Sequence, residues 1–220
     1  MNLHIWTALG MGDHITCNGL VRHYASQYDE ITLFVKTRNL SNVKRMLRDL
    51  NNIEYVSGVG EQDQFVKYYL DIHPAITLLK PHTYSGNGFD KRFYELAHIP
   101  HEYKWSKFYI ERDLNKEKEV FNDIMGLEID EEYVFTHRGN FGWDVQMLNV
   151  PNIRSINPND YPDISIFDFG MVIERAKEVH IANSSFLCLI DCMQLEGDIT
   201  YHSYIRPGCD PITNKNIKVK

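Results

Sequence analysis

The sequence lacks several features, and each absence removes a class of protein. No stretch approaches the ~20 consecutive apolar residues of a membrane span. The N-terminus has neither the basic region nor the long apolar run of a secretory signal. Cationic charge is not in excess: 23 Lys and Arg face 30 Asp and Glu, a formal net charge of −7. That argues against a non-specific nucleic-acid binder, which presents a basic face to phosphates. Cysteine is scarce, with Cys17, Cys188, Cys192 and Cys209 showing no CxxC spacing. Reduced thiols of a cytoplasmic protein are the expectation. No DxD carboxylate pair occurs that could clamp a metal-diphosphate, and His98-Ile-Pro-His101 is a poor metal motif because a proline intervenes and no further ligands are spaced around it. No metal and no bound cofactor is expected. Neither a 20–50-residue repeat nor a low-complexity segment is found.

What is present is ordinary for a folded protein of 220 residues: 43% hydrophobic, 24% charged and 12% aromatic, with 13 Tyr. Apolar runs of strand length alternate with helical spacing. The strands are "LHIWTAL", "EITLFVKT", "IEYVSGV" and "AITLLKP". Between them lie a helical stretch from Asp13 to Tyr28, one through "NVKRMLRDL" capped by Asn39 or Ser41, and one in "QDQFVKYYLDI". A Gly-rich loop, a short helix at Phe89–Ala97 and a Pro-containing link then break the pattern. After a charged helix at Asn115–Met125 the alternation resumes. It runs through "EYVFTH", the loop "RGNFGWDVQML", "IRSINP", a helix from Ser165 to Lys177, "EVHIA", the helix "SSFLCLIDCMQ" and "ITYHSYI". The polar tail "RPGCDPITNKNIKVK" is expected to wrap over the surface. The reading is α/β: two small Rossmann-like domains with parallel sheets facing a cleft, spanning 1–105 and 106–220.

The motifs fall where strands run into helices. In "ALGMGDHITCNGLVRHY", Gly10 and Gly12 allow either a tight turn or close approach of the backbone to a phosphate at a helix N-terminus. The dinucleotide fingerprint needs GxGxxG, but Gly19 lies out of register and no acidic residue ends the second strand, which disfavours a nicotinamide enzyme. Asp13 reads either as a helix cap or as a base for an attacking hydroxyl, and His14 shares that task or orients the acceptor. His137 and Arg138 follow the strand of "FTHRGN". Asn183, Ser184 and Ser185 open a helix after "EVHIA". Hydroxyls and free amides there, with an arginine nearby, suit a diphosphate, while an ordinary Ser cap and a surface Arg remain the alternative. Cys188 and Cys192 read as core, and Asp191 between them as solvent-facing. Trp105, Phe108 and Tyr109 stack on a base or sugar, or, as favoured here, pack where the two domains meet.

These residues resemble the heptosyltransferase-like glycosyltransferases of GT-B architecture. The chain also resembles a group of short viral and bacterial glycosyltransferase-like proteins. The stretches "GDHITCNGLVRHY", "FYELAHIPHEYKWSKFYIERDL", "YVFTHRGN" and "AKEVHIANSSFLCLIDCM" carry the likeness, which covers most of residues 1–206. It implies an N-terminal acceptor domain and a C-terminal domain for a nucleotide-sugar donor, the acceptor being a carbohydrate or glycoconjugate. It implies Asp13 as catalytic base, Asn183, Ser184 and Ser185 around the donor phosphate, and His137 with Arg138 near the leaving diphosphate. The implied reaction is a metal-independent, inverting transfer in the cytoplasm (the host cytoplasm if the protein is viral). The sequence departs from the pattern at Leu9-Gly10-Met11-Gly12-Asp13, where Met11 is extra, and at Ser-Ser-Phe, which lacks the donor-site His. Those departures and the short chain keep open a non-catalytic carbohydrate- or nucleotide-binding module.

Overall fold

A computed structural model of the chain describes residues 2–7, 10–59, 64–73, 76–78, 86–139, 146–213 and 217–220. Ala8 and Leu9 of the first motif, the whole of "KPHTYS" and residues 140–145 of the loop "RGNFGWDVQML" lie outside the described residues.

The chain divides into two compact units, Met1–Glu111 and Arg112–Lys220. The first contains β1 (Asn2–Ile5), α1 (Met11–Thr16), α2 (Asn18–Ala25), β2 (Glu30–Lys36), α3 (Leu40–Met46), β3 (Ile53–Gly58), α4 (Gln64–Ile72), β4 (Ile76–Leu78), α5 (Phe89–Leu96) and α6 (Tyr103–Ser106). Its four strands are all parallel, in the order β3-β2-β1-β4. Strands buried on both faces need apolar side chains on both, which is why β2 reads as a run and Ile31, Leu33, Phe34 and Val35 are all fully buried. The apolar face of α4 lies over this sheet: Trp6, Phe34 and Val66 form a cluster with Val56, Phe65 and Tyr69 around it.

The expected single helix from Asp13 to Tyr28 is instead two. Cys17 adopts φ −86°, ψ 3°, and separates α1 from α2. Gly19, in the first turn of α2, lies so close to α6 that a Cβ there would sit 1.9 Å from the Tyr103 carbonyl oxygen. The last residues of this unit are pinned to it. Tyr109 exchanges backbone hydrogen bonds of 3.1 Å with the Asn18 side chain, and the Arg48 guanidinium holds Glu111 at 3.0 Å. Tyr109 also lies under Arg22. Trp105 packs edge-on against His101. His101 in turn meets the Asp90 carboxylate, 2.8 Å from the buried Lys104 ammonium.

The second unit contains α7 (Leu114–Glu119), β5 (Tyr133–His137), β6 (Arg154–Ile156), α8 (Gly170–Glu174), β7 (Glu178–Ile181), α9 (Ser185–Met193), β8 (Ile199–Tyr201) and β9 (Lys218–Val219). Its five strands are also parallel, in the order β6-β5-β7-β8-β9. Phe135, Phe169 and Phe186 form an aromatic triangle with centroids 5.4–6.2 Å apart. Three expectations are corrected. The helix from Ser165 begins as a 3-10 turn at Ile166–Phe169 before α8, with the Ser165 hydroxyl capping Phe167. "ITYHSYI" is strand only to Tyr201. The tail does not merely wrap: Lys218 and Val219 add an edge strand beside β8. Asp191 is a further correction, being 1% exposed. Cys188 and Cys192 are core residues, and all four cysteines are free thiols. Among the described residues no helix is long and apolar enough to cross a membrane.

Candidate functional site

In an open parallel sheet, the carboxyl ends of two neighbouring strands part where the strand order reverses, and loops diverging from them leave a crevice. In the first unit the reversal falls between β1 and β4, and the chain leaving β1 enters α1 through Gly10, with Gly12, Asp13 and His14 in the helix itself. In the second it falls between β5 and β7, whose ends His137 and Ile181 are paired in register. Arg138 leaves β5 there, and Asn183, Ser184 and Ser185 leave β7. Each motif set therefore lies at the reversal point of its own sheet.

In the first unit, Gly10 is the N-cap of α1. The Asp13 side chain folds back along the first turn, and its Oδ2 accepts a hydrogen bond of 3.0 Å from the Gly10 N–H. A carboxylate in the first turn also faces the positive end of the helix. Gly12 lies within that turn, half-buried. His14 turns inward and is 2% exposed, its Nδ1 3.5 Å from the Thr7 hydroxyl. Burial pushes its pKa down to about 3, so the ring is neutral. Its Nε2 has no hydrogen-bond partner among the described residues.

In the second unit the side chains are more tightly organised. His137 is buried, and its Nδ1 lies 2.8 Å from the Ser184 Oγ. The ring stands edge-on to Phe186, centroids 4.7 Å apart. Burial lowers the His137 pKa to about 4, against an opposing hydrogen bond with the Asn159 side chain. Ser184 is the N-cap of α9 but caps nothing with its hydroxyl, which is turned to His137. The Ser184 side chain therefore leaves the first-turn amides of α9 uncapped, with the half-buried Ser185 beside them. Asn183 points elsewhere: its amide donates to the Cys209 carbonyl.

Arg138 is exposed and lines a pocket of about 200 Å³ with Thr136, Gln146, Met147, Val150 and Ser155. Thr136 and Ser155 stand on neighbouring strands with their hydroxyl oxygens 3.0 Å apart. Sequence reasoning singled out only Arg138 of this group. Thr136 immediately precedes His137 in the strand already flagged, but Gln146, Met147 and Val150 reach the pocket through a loop that no spacing rule identifies. Tyr201 and Cys209 were likewise missed, because their contacts depend on β8 lying beside β7. Among the described residues no group of three or more His, Cys, Asp or Glu side chains could hold a metal ion.

No protein-family model matches the sequence, and no curated protein matches it. Among solved structures the chain is similar to the glycosyl transferase family 9 protein from Veillonella parvula DSM 2008. The TM-score is 0.52 and the identity 11%, over 91% of this chain and 79% of that one. At that identity the similarity bears on fold alone: the chain has a parallel α/β architecture shared with a family 9 glycosyltransferase.

Proposed function

We propose that the protein is a glycosyltransferase that moves a sugar from a nucleotide-sugar donor to an acceptor hydroxyl. One observation carries the reading: both motif sets lie at the strand-order reversals of two parallel sheets, where α/β proteins bind ligands. The second unit takes the donor. The uncapped amides of α9 and the Ser185 hydroxyl receive the diphosphate, and Arg138 adds a full positive charge. His137 is neutral, so it contributes no cation; it fixes the Ser184 hydroxyl through their 2.8 Å contact. The first unit takes the acceptor, and Asp13 is the base. The acceptor oxygen gives its proton to the carboxylate and attacks the anomeric carbon as the bond to the diphosphate oxygen breaks. Such a single displacement inverts the anomeric centre. His14, buried and neutral, orients rather than accepts a proton. Fixed protein charge meets the leaving group, and no metal is invoked.

The test separates binding from chemistry. A thermal-shift panel of nucleoside diphosphates and sugar nucleotides identifies the donor, since a ligand of the native state raises its apparent stability. Arg138→Ala should then weaken diphosphate binding by about tenfold or more; unchanged affinity by calorimetry removes Arg138 from the donor site. Asp13→Asn should keep the acceptor oxygen that caps Gly10 and keep donor affinity, while turnover falls by about 10²–10⁴.

A second reading is a non-catalytic binding module on the same fold. The Gly10–Asp13 hydrogen bond favours it, because that contact by itself gives the carboxylate a structural role. Transfer or donor hydrolysis by the purified protein, lost in Asp13→Asn, decides against it.

A further inference from the structure

The second sheet carries one continuous row of polar side chains that the donor site does not use. Glu178 and His180 alternate on β7 and so share a face. The His180 Nε2 lies 3.0 Å from the Glu178 carboxylate, and its Nδ1 lies 2.9 Å from the His202 Nε2. His202 directly follows β8 and extends the ladder by one residue, its N–H donating to the Ile181 carbonyl at 2.8 Å. The two imidazoles stack at 29°, and both are fully buried. From His202 the row continues through Nδ1 to the Tyr204 hydroxyl at 2.8 Å. That hydroxyl accepts the Leu148 N–H at 2.8 Å and lies 3.4 Å from the Gln146 carbonyl. Gln146 and Met147 line the Arg138 pocket. The row thus runs from the first residue of β7 to a wall of that pocket.

Counting donors fixes the direction of every hydrogen bond in the row. A carboxylate only accepts, so the His180 Nε2 carries a proton and donates to Glu178. His202 is neutral, burial lowering its pKa to about 4, and holds one proton. Placing that proton on Nδ1 would make His180 a buried cation, since a contact between two imidazole nitrogens needs one donor. It would also send the Tyr204 proton to the Gln146 carbonyl at 3.4 Å instead of to Nδ1 at 2.8 Å. The proton therefore sits on the His202 Nε2 and points to the His180 Nδ1, and Tyr204 donates to the His202 Nδ1. The Tyr204 oxygen is left to accept from Leu148. We propose that Glu178, His180, His202 and Tyr204 are positioning residues, a proton-ordered relay that holds Gln146–Leu148 as a wall of the Arg138 pocket. Its bearing on the donor rests on the donor-site reading above.

The imidazole nitrogens report this order directly. Long-range proton–nitrogen NMR correlation of the full chain at neutral pH, assigned through His180→Gln and His202→Gln, should show both histidines as the Nε2–H tautomer. An Nδ1–H signal on His202 in the wild type overturns the relay. Glu178→Gln offers His180 an acceptor oxygen or a donor amide, so it should bring up Nδ1–H on His202, two links away. A His202 spectrum unchanged in that variant overturns the transmission. Hydrogen exchange of the Leu148 amide reads the wall. Tyr204→Phe removes only a hydroxyl and should speed that exchange by about three- to tenfold, the worth of one hydrogen bond. In Glu178→Gln the His202 Nδ1–H competes with Leu148 for the Tyr204 oxygen, and exchange should rise there by about twofold. Rates equal to wild type in both variants overturn the positioning; Glu178→Gln, at a half-buried strand end, keeps the test if Tyr204→Phe folds poorly. Calorimetry with pyrophosphate and the nucleoside diphosphates of the thermal-shift panel separates the relay from the donor reading. Their binding should weaken by about threefold or more in Tyr204→Phe. Equal affinity in the two proteins overturns the hold on the pocket while the donor-site reading stands. No binding to the wild type overturns the donor-site reading, and the tautomers and Leu148 exchange then decide the relay by themselves.

Discussion

The Asp13 carboxylate accepts the Gly10 N–H at 3.0 Å, and a methyl group on Gly10 would lie 2.6 Å from the same oxygen. The glycine is thus required by the carboxylate three residues later. Gly10→Ala should drive Asp13 out of its cap and cost about 0.5–2 kcal/mol of stability, the worth of a helix cap. In an Asp13→Ala background the clash is gone. The same substitution should there be neutral or stabilising by up to about 1 kcal/mol, through the less flexible unfolded chain. Urea titration of the four proteins in this cycle reads the change of sign. Equal costs in both backgrounds would show that the two residues are not coupled.

Gly19 gives a harsher result. Its missing Cβ would lie 1.9 Å from the Tyr103 carbonyl oxygen and 2.9 Å from its carbon, backbone atoms that cannot rotate aside. Gly19→Ala must push α6 away from α2, and overpacking of that kind costs about 1–3 kcal/mol or more. A Tm equal to that of wild type would refute the close approach.

The Asp90 carboxylate and Lys104 ammonium are 2.8 Å apart and 0% and 1% exposed. Removing Lys104 takes a full positive charge from beside a buried carboxylate, and breaking a buried pair in this way costs about 3–5 kcal/mol. Lys104→Met should therefore destabilise the first unit severely. Asp90→Leu combined with Lys104→Met should recover much of the loss. Chemical denaturation of the two variants checks the order.

Stability should fall with acid in a window set by histidines. Burial lowers His14 to about 3, and His137 and His202 to about 4, from 6.5 in the unfolded chain. Between pH 6.5 and 4 the unfolded state binds protons that the native state does not. Unfolding therefore becomes easier as pH falls through that range, by about 1.4 kcal/mol per unit of depression for each group. The contribution is fully present above pH 6.5. His137→Gln should flatten the dependence of Tm on pH between 6.5 and 4. An unaltered slope would mean that His137 titrates normally in the fold.

Much of the architecture follows from local pattern. Within "EITLFVKT" the consecutive residues Leu33, Phe34 and Val35 are apolar, so both faces of the strand are apolar and both must be covered, which gives parallel sheets with crossover helices. The placement of Asp13, His137 and Ser184 at strand ends follows from the same boundaries. Their side-chain partners do not. Gly19 reads as a misplaced fingerprint glycine until α6 is seen against it, 84 residues later. Asp191 reads as solvent-facing because its neighbours on α9 do not reveal how deeply the helix is buried.

What the sequence alone determined is the succession of elements and the ends at which chemistry-bearing residues appear, since both depend on spacing within about ten residues. Only the tertiary structure decided which strands became neighbours, and with them which polar atoms were spent. Ser184 is turned to His137 because β5 lies beside β7. Tyr201, at the end of β8 next to β7, holds Asp210, and Asn183 holds Cys209 in the segment that follows β8. Hydrogen bonds between residues far apart in the chain are set by strand order, and strand order is a property of the whole packed sheet.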